Sequence, residues 1–262
     1  MTEANCAPVT AFREKLARGE TVYSMTVRLL RSVEIAPLAK AAGYDTIYID
    51  LEHSSLSLET VSQISIASLG AGIAPFVRVP ALDAALIARI LDGGATGIIV
   101  PDVRSATEAE AIVRAARYQP AGDRSLLGLM PQLGYRAIPA PDAMRLMNDT
   151  TTVVVMIESP TGVEAVNEIA AVPGVDILLV GANDISTAHG VAGQYDHAVV
   201  EDAYNRTLAA CRSHGKLLGI GGLASRPDLI RKYISLGGRY VSLGGDLPML
   251  LGAAAQKRAE FA

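Results

Sequence analysis

Eight short runs rich in β-branched and other apolar residues recur along the chain, and Ala-rich segments with helical periodicity separate them. Strands that alternate with helices in this way build βα units around a parallel sheet. Eight such units in 262 residues favour a (β/α)8 TIM barrel over a doubly wound sheet. The predicted strands are Thr21 to Val27, Asp45 to Asp50, Pro75 to Val79, Gly97 to Val100, Thr152 to Ile157, Asp176 to Val180, Leu217 to Ile220 and Tyr240 to Leu243.

Most connections between these runs carry helix signals, such as a Ser N-cap at Ser57 with Glu59 in the first turn. The stretch from Gln119 to Ala143 is rich in Pro and Gly instead, and we interpret it as a long irregular connection, either functional or a plain surface excursion. No linker or low-complexity tract divides the chain, so we predict a single domain over residues 1–262. The predicted helices include Ser57 to Leu69, Asp83 to Leu91, Thr107 to Tyr118 and Ala198 to His214.

The composition argues against several classes of protein. The formal net charge is -4 and the Lys and Arg residues are scattered, which offers nucleic acid no basic surface. Charged residues, Gly or Pro interrupt the apolar runs before they reach membrane-spanning length, and the first residues lack a signal-peptide pattern. The two cysteines, Cys6 and Cys211, form no Cys-x-x-Cys motif and fit reduced thiols. We therefore expect a cytoplasmic protein that binds neither nucleic acid nor membranes.

Two carboxylates, Glu158 and Asp184, stand at the carboxyl ends of predicted strands. In a barrel the reactive groups come from these strand ends and the loops after them. Oxygen donors without a neighbouring Cys or His suit Mg2+ or Mn2+ completed by water and substrate. Either residue alone could instead cap a helix, since Ser-Pro-Thr-Gly follows the first and Ile-Ser-Thr follows the second. The two together favour a metal site.

Four more polar residues lie at or just after the carboxyl ends of predicted strands: Asp50, Glu52, His53 and Arg78. His53 directly follows a strand, where an imidazole could act as a general base or could simply bond to Asp50 or Glu52. Arg78 ends an otherwise apolar strand, so its guanidinium is predicted to enter the mouth of the barrel. There it suits a carboxylate or a developing enolate oxygen, and an ion pair with Asp50 or Glu52 is compatible with that role.

No lysine is predicted at the carboxyl end of a strand, where it could form a Schiff base. Lys216 precedes its strand, and the others fall in predicted helices or at their edges: Lys15, Lys40, Lys232 and Lys257. Carbon-acid chemistry would therefore use a metal and not an imine. Glycines at 219–222 and 244–245 follow strands seven and eight, where many barrels bind phosphate, but tight turns explain them equally well.

An ordered set of segments covers nearly the whole chain and resembles the HpcH/HpaI family of metal-dependent pyruvate aldolases. The segments are Gly43-Tyr-Asp with Ile-Asp-Leu-Glu-His53, Val-Arg78-Val-Pro, Leu-Asp92-Gly-Gly, Tyr118-Gln-Pro-Ala-Gly-Asp-Arg, Met-Ile-Glu158-Ser and Gly-Ala-Asn-Asp184-Ile-Ser. The resemblance implies a (β/α)8 barrel whose last helix is exchanged between subunits, in a homohexamer built as a trimer of dimers. It also implies cleavage of 4-hydroxy-2-oxoacids to pyruvate and an aldehyde, and the reverse aldol addition.

Residue roles follow from the same resemblance. Glu158 and Asp184 would hold Mg2+, Mn2+ or Co2+, His53 would be the base, and Arg78 would stabilise the enolate. Asp92 would raise the basicity of His53; because it precedes a strand, at the bottom of its own barrel, we expect it to serve the neighbouring subunit's site.

The chain departs from the family at two positions that the resemblance places against the substrate. Met156 stands where the family often has a Gln, and Asn183 replaces an Ala whose backbone meets the substrate, beside Arg78 and Asp184. The segment from Ser125 to Tyr135 is also more apolar than its family counterpart. These departures motivate a second hypothesis, an enzyme that decarboxylates oxaloacetate or condenses its enolate. A third, from another class, is a non-catalytic barrel that binds an oxoacid.

Overall fold

Eight parallel strands close into a barrel in which each strand pairs with its neighbours in the chain. The computed structural model describes residues 7–261, with side chains from residue 11 onward. The closed barrel confirms the predicted (β/α)8 class. The strands are β1 (Val22–Val27), β2 (Thr46–Asp50), β3 (Ala74–Arg78), β4 (Gly97–Val100), β5 (Thr152–Ile157), β6 (Ile177–Gly181), β7 (Leu217–Gly221) and β8 (Gly238–Gly245).

Helices follow the strands around the outside of the barrel. The four helices predicted from the sequence are present, and Ser57 caps one of them by accepting a hydrogen bond from the Thr60 amide at 3.1 Å. The helices are α1 (Ala7–Ala17), α2 (Ile35–Ala41), α3 (Leu58–Ala71), α4 (Ala84–Asp92), α5 (Ala106–Ala116), α6 (Ala140–Thr150), α7 (Pro160–Glu164), α8 (Val166–Ala171), α9 (Ala182–Ala188), α10 (Ala198–His214), α11 (Pro227–Leu236) and α12 (Asp246–Ala259).

Two local predictions were wrong. The connection from Gln119 to Ala143 contains a short 3-10 helix (Pro131–Leu133) and is otherwise irregular only as far as Pro139, because α6 begins at Ala140. Proline in its first turn had favoured a loop, although proline is well tolerated at that position of a helix. Of the glycines predicted to follow the last two strands, Gly219, Gly221, Gly244 and Gly245 lie inside those strands, whereas Gly222 does follow β7, with a φ of +75°. Glycine fits there because β6 and β7 approach closely: a Cβ on Gly219 would lie 2.9 Å from Leu179 Cδ1.

The lumen of the barrel is filled by side chains that determine where the polar residues point. Tyr48, Phe76 and Met156 belong to the buried cluster inside the barrel. Because side chains alternate along a strand, the residues two positions later face the same interior. Those residues are Asp50, Arg78 and Glu158, and they lie above the apolar layer at the carboxyl ends of the strands. We call this end of the barrel the top and the opposite end the bottom.

The last helix, α12, leaves its apolar side chains uncovered. Leu247, Leu250 and Leu251 are 51%, 56% and 67% exposed, whereas Asp246 at its start is buried. Across the whole described chain, 7–261, none of the helices combines the length and apolar character needed to cross a bilayer.

Candidate active site

A buried carboxylate, Asp50, organises two arginines at the top of the barrel. Arg78 donates from Nε to Oδ1 at 2.9 Å and from Nη2 to Oδ2 at 2.6 Å. Arg28 donates from Nε to Oδ2, also at 2.6 Å. Burial by itself would raise the pKa of Asp50, but these hydrogen bonds and charges hold it below its usual value. Asp50 is therefore ionised and fixed between the two guanidinium groups.

Arg78 lies at the base of the top cavity with little exposure to solvent. Its Nη1 is 2.7 Å from Glu52 Oε2 and 3.9 Å from the Met156 sulfur, and its guanidinium lies over the Tyr48 ring at 5.4 Å. Both ion pairs considered from the sequence are thus present. Burial works against the charge on Arg78, yet its bonds to Asp50 raise its pKa. A rigid cation faces the interior of the site.

One carboxylate oxygen of Glu158 has no hydrogen-bond partner among the described residues. Its Oε1 accepts a hydrogen bond from the Asp102 amide at 2.8 Å, while Oε2 is buried and makes no hydrogen bond with the described residues. It does not cap α7, since Ser159 does so through the Gly162 amide. The pKa of Glu158 is raised to about 7, mainly because the group is buried and also because the negative charge of Asp184 is nearby. An unpartnered buried carboxylate oxygen of this kind calls for a ligand.

The neighbouring strand makes room for that oxygen. Gly181, the last residue of β6, lies so close that a Cβ on it would be 2.5 Å from Glu158 Oε2. Asp184 follows in the first turn of α9, whose N-cap is Gly181, so Asp184 is not the cap considered from the sequence. It is exposed and lines the same cavity as His53 and Arg78.

These two carboxylates fit a divalent cation that keeps other ligands. Within residues 7–261, no three His, Cys, Asp or Glu side chains are grouped so as to hold a metal by themselves. Two carboxylates, one with a free buried oxygen, instead match the way Mg2+ is commonly bound, by one or two carboxylates together with water and substrate. Glu52 adds a third negative group nearby, with its pKa raised by burial against the opposing effect of Arg78.

His53 lines the cavity from its outer side. Its side chain is 57% exposed, and its Nε2 is 3.7 Å from Glu52 Oε2, which is too long for a hydrogen bond. The His53 backbone amide donates to Asp50 Oδ1 at 3.3 Å, but the imidazole itself makes no hydrogen bond to Asp50 or Glu52. It is free to approach a substrate.

The two departures from the family pattern also line the cavity. The Met156 sulfur is 3.8 Å from the Tyr48 hydroxyl, so a thioether occupies the place between that hydroxyl and Arg78. Asn183 accepts a hydrogen bond through Oδ1 from the Tyr195 hydroxyl at 2.6 Å. The cavity measures about 100 Å3 and is lined by Thr26, Arg28, Tyr48, His53, Arg78, Met156, Leu179, Gly181, Asn183, Asp184, Gly221, Gly222 and Ser242.

Asp92 does not join this group. It ends α4 at the bottom of the barrel and pairs with Arg124, whose Nη2 lies 2.6 Å from its Oδ1. Asp92 is thus at the bottom of the barrel, as its place before a strand predicted, and away from the active site of its own chain.

Arg28 is the charged residue of the cavity lining that the sequence analysis missed. It follows β1 and lines the cavity at 45% side-chain exposure. The signal was available, because Val22, Ser24 and Thr26 alternate toward the interior and Arg28 continues the same pattern one step beyond the strand.

Comparison with known proteins gives one family. The model of the HpcH/HpaI aldolase/citrate lyase family matches residues 29–253. A 4-hydroxy-4-methyl-2-oxoglutarate aldolase from Hapsidospora irregularis is 40% identical over 243 residues, which cover 91% of this chain and 90% of that protein.

Two solved structures are similar along almost their full length. A crystal structure of an HpcH/HpaI aldolase from Desulfitobacterium hafniense superposes with a TM-score of 0.90 at 27% identity, covering 95% of each chain. Citrate synthase SbnG superposes with a TM-score of 0.84 at 31% identity, covering 95% of this chain and 96% of its own.

Proposed function

Because the chain belongs to the HpcH/HpaI aldolase/citrate lyase family, we propose that it cleaves 4-hydroxy-2-oxoacids to pyruvate and a second carbonyl compound, an aldehyde in the simplest case. The chain is a carbon–carbon lyase of the class II pyruvate aldolase type. The observation that carries the proposal is the unpartnered Glu158 oxygen, buried beside Asp184 and Arg78 above the lumen of the barrel.

Glu158 and Asp184 would hold the divalent cation, Mg2+, Mn2+ or Co2+, with water and substrate as its other ligands. When bound, such a cation polarises the 2-oxo group and lowers the energy of the enolate. The acidic oxygen donors support this assignment, since carboxylate oxygens are the ligands that suit Mg2+ and Mn2+.

The residues of the chain supply the remaining steps. His53, directly or through a water, takes the proton from the 4-hydroxyl group. The bond between C3 and C4 then breaks, its electron pair enters the enolate of pyruvate, and C4 leaves as a carbonyl. Arg78 stabilises the negative charge that develops on the enolate oxygen, and Asp50 holds Arg78 in place for this role. Protonation of C3 completes the formation of pyruvate.

Two measurements test this function. Pyruvate release from a panel of 4-hydroxy-2-oxoacids, with and without a chelator, should require the metal. Pyruvate incubated with the protein in deuterated solvent should exchange its methyl protons when Mg2+, Mn2+ or Co2+ is present. Absence of exchange with all three metals, in folded protein, would contradict the proposal.

A second candidate keeps the enolate but changes the partner. Met156 and the similarity to citrate synthase SbnG favour condensation or decarboxylation of oxaloacetate. Faster consumption of oxaloacetate than of any 4-hydroxy-2-oxoacid would select this candidate over aldol cleavage.

The assembly is part of the proposal. The uncovered leucines of α12 support exchange of this helix between subunits, in a hexamer built from dimers. Asp92 would then act in the site of the neighbouring subunit. Analytical ultracentrifugation of wild-type protein and Leu250→Glu checks this: the wild type should sediment as a hexamer and the variant as a smaller species.

A cytoplasmic location also belongs to the proposal, supported by the free, buried thiol of Cys211. The other cysteine of that prediction, Cys6, lies outside the described residues.

A further inference from the structure

Arg28 is held in a defined position at the edge of the top cavity. Its backbone amide donates to Asp246 Oδ1 at 3.0 Å, and the next two amides, of Leu29 and Leu30, donate to Asp246 Oδ2 at 2.9 and 2.8 Å. Asp246 is itself buried at the start of α12. The loop that carries Arg28 is therefore fixed by three hydrogen bonds to one carboxylate.

The two arginines of the site differ in how much of each guanidinium is already engaged. Arg78 is almost fully buried and its three nitrogens contact Asp50, Glu52 and the Met156 sulfur. Arg28 uses only Nε, which bonds to Asp50, and its terminal nitrogens have no hydrogen-bond partner within residues 7–261. A guanidinium edge with two free nitrogens matches the geometry of a carboxylate.

The depth of the two groups assigns them to different halves of a substrate. Both arginines bond to the same Asp50 oxygen at 2.6 Å, but Arg78 lies at the base of the cavity while Arg28 is half exposed above it. The half of the substrate that becomes the enolate belongs beside Arg78 and the carboxylates. The other half extends outward, toward the free edge of Arg28.

We propose that Arg28 binds a second carboxylate of the substrate, so that the preferred substrates are 4-hydroxy-2-oxoacids with a carboxylate at C5. This inference rests on the proposed aldolase function. It makes Arg28 a specificity-determining residue that acts on the half of the substrate released as the carbonyl product.

A matched pair of substrates tests the inference: 4-hydroxy-2-oxoglutarate and 4-hydroxy-2-oxopentanoate, which carry a carboxylate or a methyl group at C5. In Arg28→Met, kcat/KM for the first should fall by about 100-fold, as expected when a charge-assisted bidentate contact is lost. The second should fall by less than about tenfold, because it has no such contact. Arg28→Lys should recover part of the lost kcat/KM, since it restores the positive charge but not the bidentate geometry of the guanidinium.

Arg31→Met is the matched control. Arg31 lies in the same loop, but it bonds to the Leu29 carbonyl and the Ser55 hydroxyl and does not line the cavity. It should leave the ratio of the two kcat/KM values as in the wild type.

Two results would overturn the role of Arg28. Equal losses for both substrates in Arg28→Met would show that Arg28 only supports Asp50 and Arg78. Wild-type kcat/KM values for both substrates in Arg28→Met would show that Arg28 does not contact the distal group. Failure of the aldolase function itself is recognised separately, by the absence of methyl-proton exchange into pyruvate in the wild-type protein, a reaction that involves no C5 group.

Discussion

The two ends of the barrel both carry charged residues, but among the described residues the buried carboxylate oxygens without a hydrogen bond lie at the top. There, Asp45 accepts two hydrogen bonds from Lys15 Nζ and one from the Tyr23 amide, at 2.8 to 2.9 Å. Asp176 accepts one from the Val153 amide and another from Arg117. At the top, Glu158 retains a buried oxygen that no residue of the described chain contacts through a hydrogen bond, and another acid, Asp184, lies nearby. Paired acids stabilise the fold, whereas an unpaired buried acid indicates a ligand.

Cavity volume alone would favour the bottom of the barrel as the active site. The bottom cavity, under α1 and beside Asp176 and Lys216, has a volume of about 510 Å3, compared with about 100 Å3 at the top. Lys216 lies in the larger one, where burial lowers its pKa, but its Nζ donates to the Val172 and Val175 carbonyls. Charge balance is therefore a better guide to this active site than volume.

Among the substitutions that compare the two ends, Glu158→Gln at the top should have the largest effect on activity. Loss of an anionic metal ligand at the top should reduce pyruvate release on the order of 1000-fold, since Lewis-acid stabilisation amounts to several kcal/mol. A coupled assay for pyruvate measures this. Activity that persists in this variant and is insensitive to chelator would remove the top carboxylates from the mechanism.

The next largest effect is expected for Arg78→Lys, which should reduce kcat/KM by about 100- to 1000-fold. A lysine keeps the charge but lacks the planar guanidinium that faces both Asp50 and the enolate. The matched change at the bottom is Arg117→Lys, which should leave kcat/KM unchanged. Comparable kinetic losses in the two variants would mean that the arginines act through stability alone; thermal denaturation of both separates the cases.

His53→Gln should reduce kcat for aldol cleavage by about 100-fold through loss of the general base. His189→Gln is a suitable control, because His189 lines a different cavity, beside α7 and α10. A normal rate in His53→Gln across pH 6 to 9 would assign the proton transfer to another group.

The smallest expected effect lies at the bottom. Asp176→Asn should lower the free energy of unfolding by about 1 kcal/mol, because a partly exposed ion pair with Arg117 is lost while the Val153 amide keeps an acceptor. Urea denaturation gives the stability, and the aldolase assay should give the wild-type rate. A loss of activity without a loss of stability would break the distinction between the two ends.

The alternation of strands and helices, together with the polar residues at the ends of strands two, three, five and six, was enough to predict the barrel and the places of His53, Arg78 and Asp184 in the cavity lining. Arg28 was overlooked although the period of two in β1 points to it. Helix α6 was missed because proline in a first turn resembles a loop signal. Both errors concern local signals that were present but ambiguous.

Other features required the tertiary structure. Hydrophobic periodicity and strand-end positions follow from the order of residues, so the sequence by itself determined the (β/α)8 class and the side of the barrel that carries Glu158, Asp184, His53 and Arg78. Whether each acid was a helix cap, an ion-pair partner or an unpartnered group depends on distances between separate strands. Only the folded chain brings Gly181 against Glu158 and lets Asp50 bind two arginines, because these contacts join residues that are far apart in sequence.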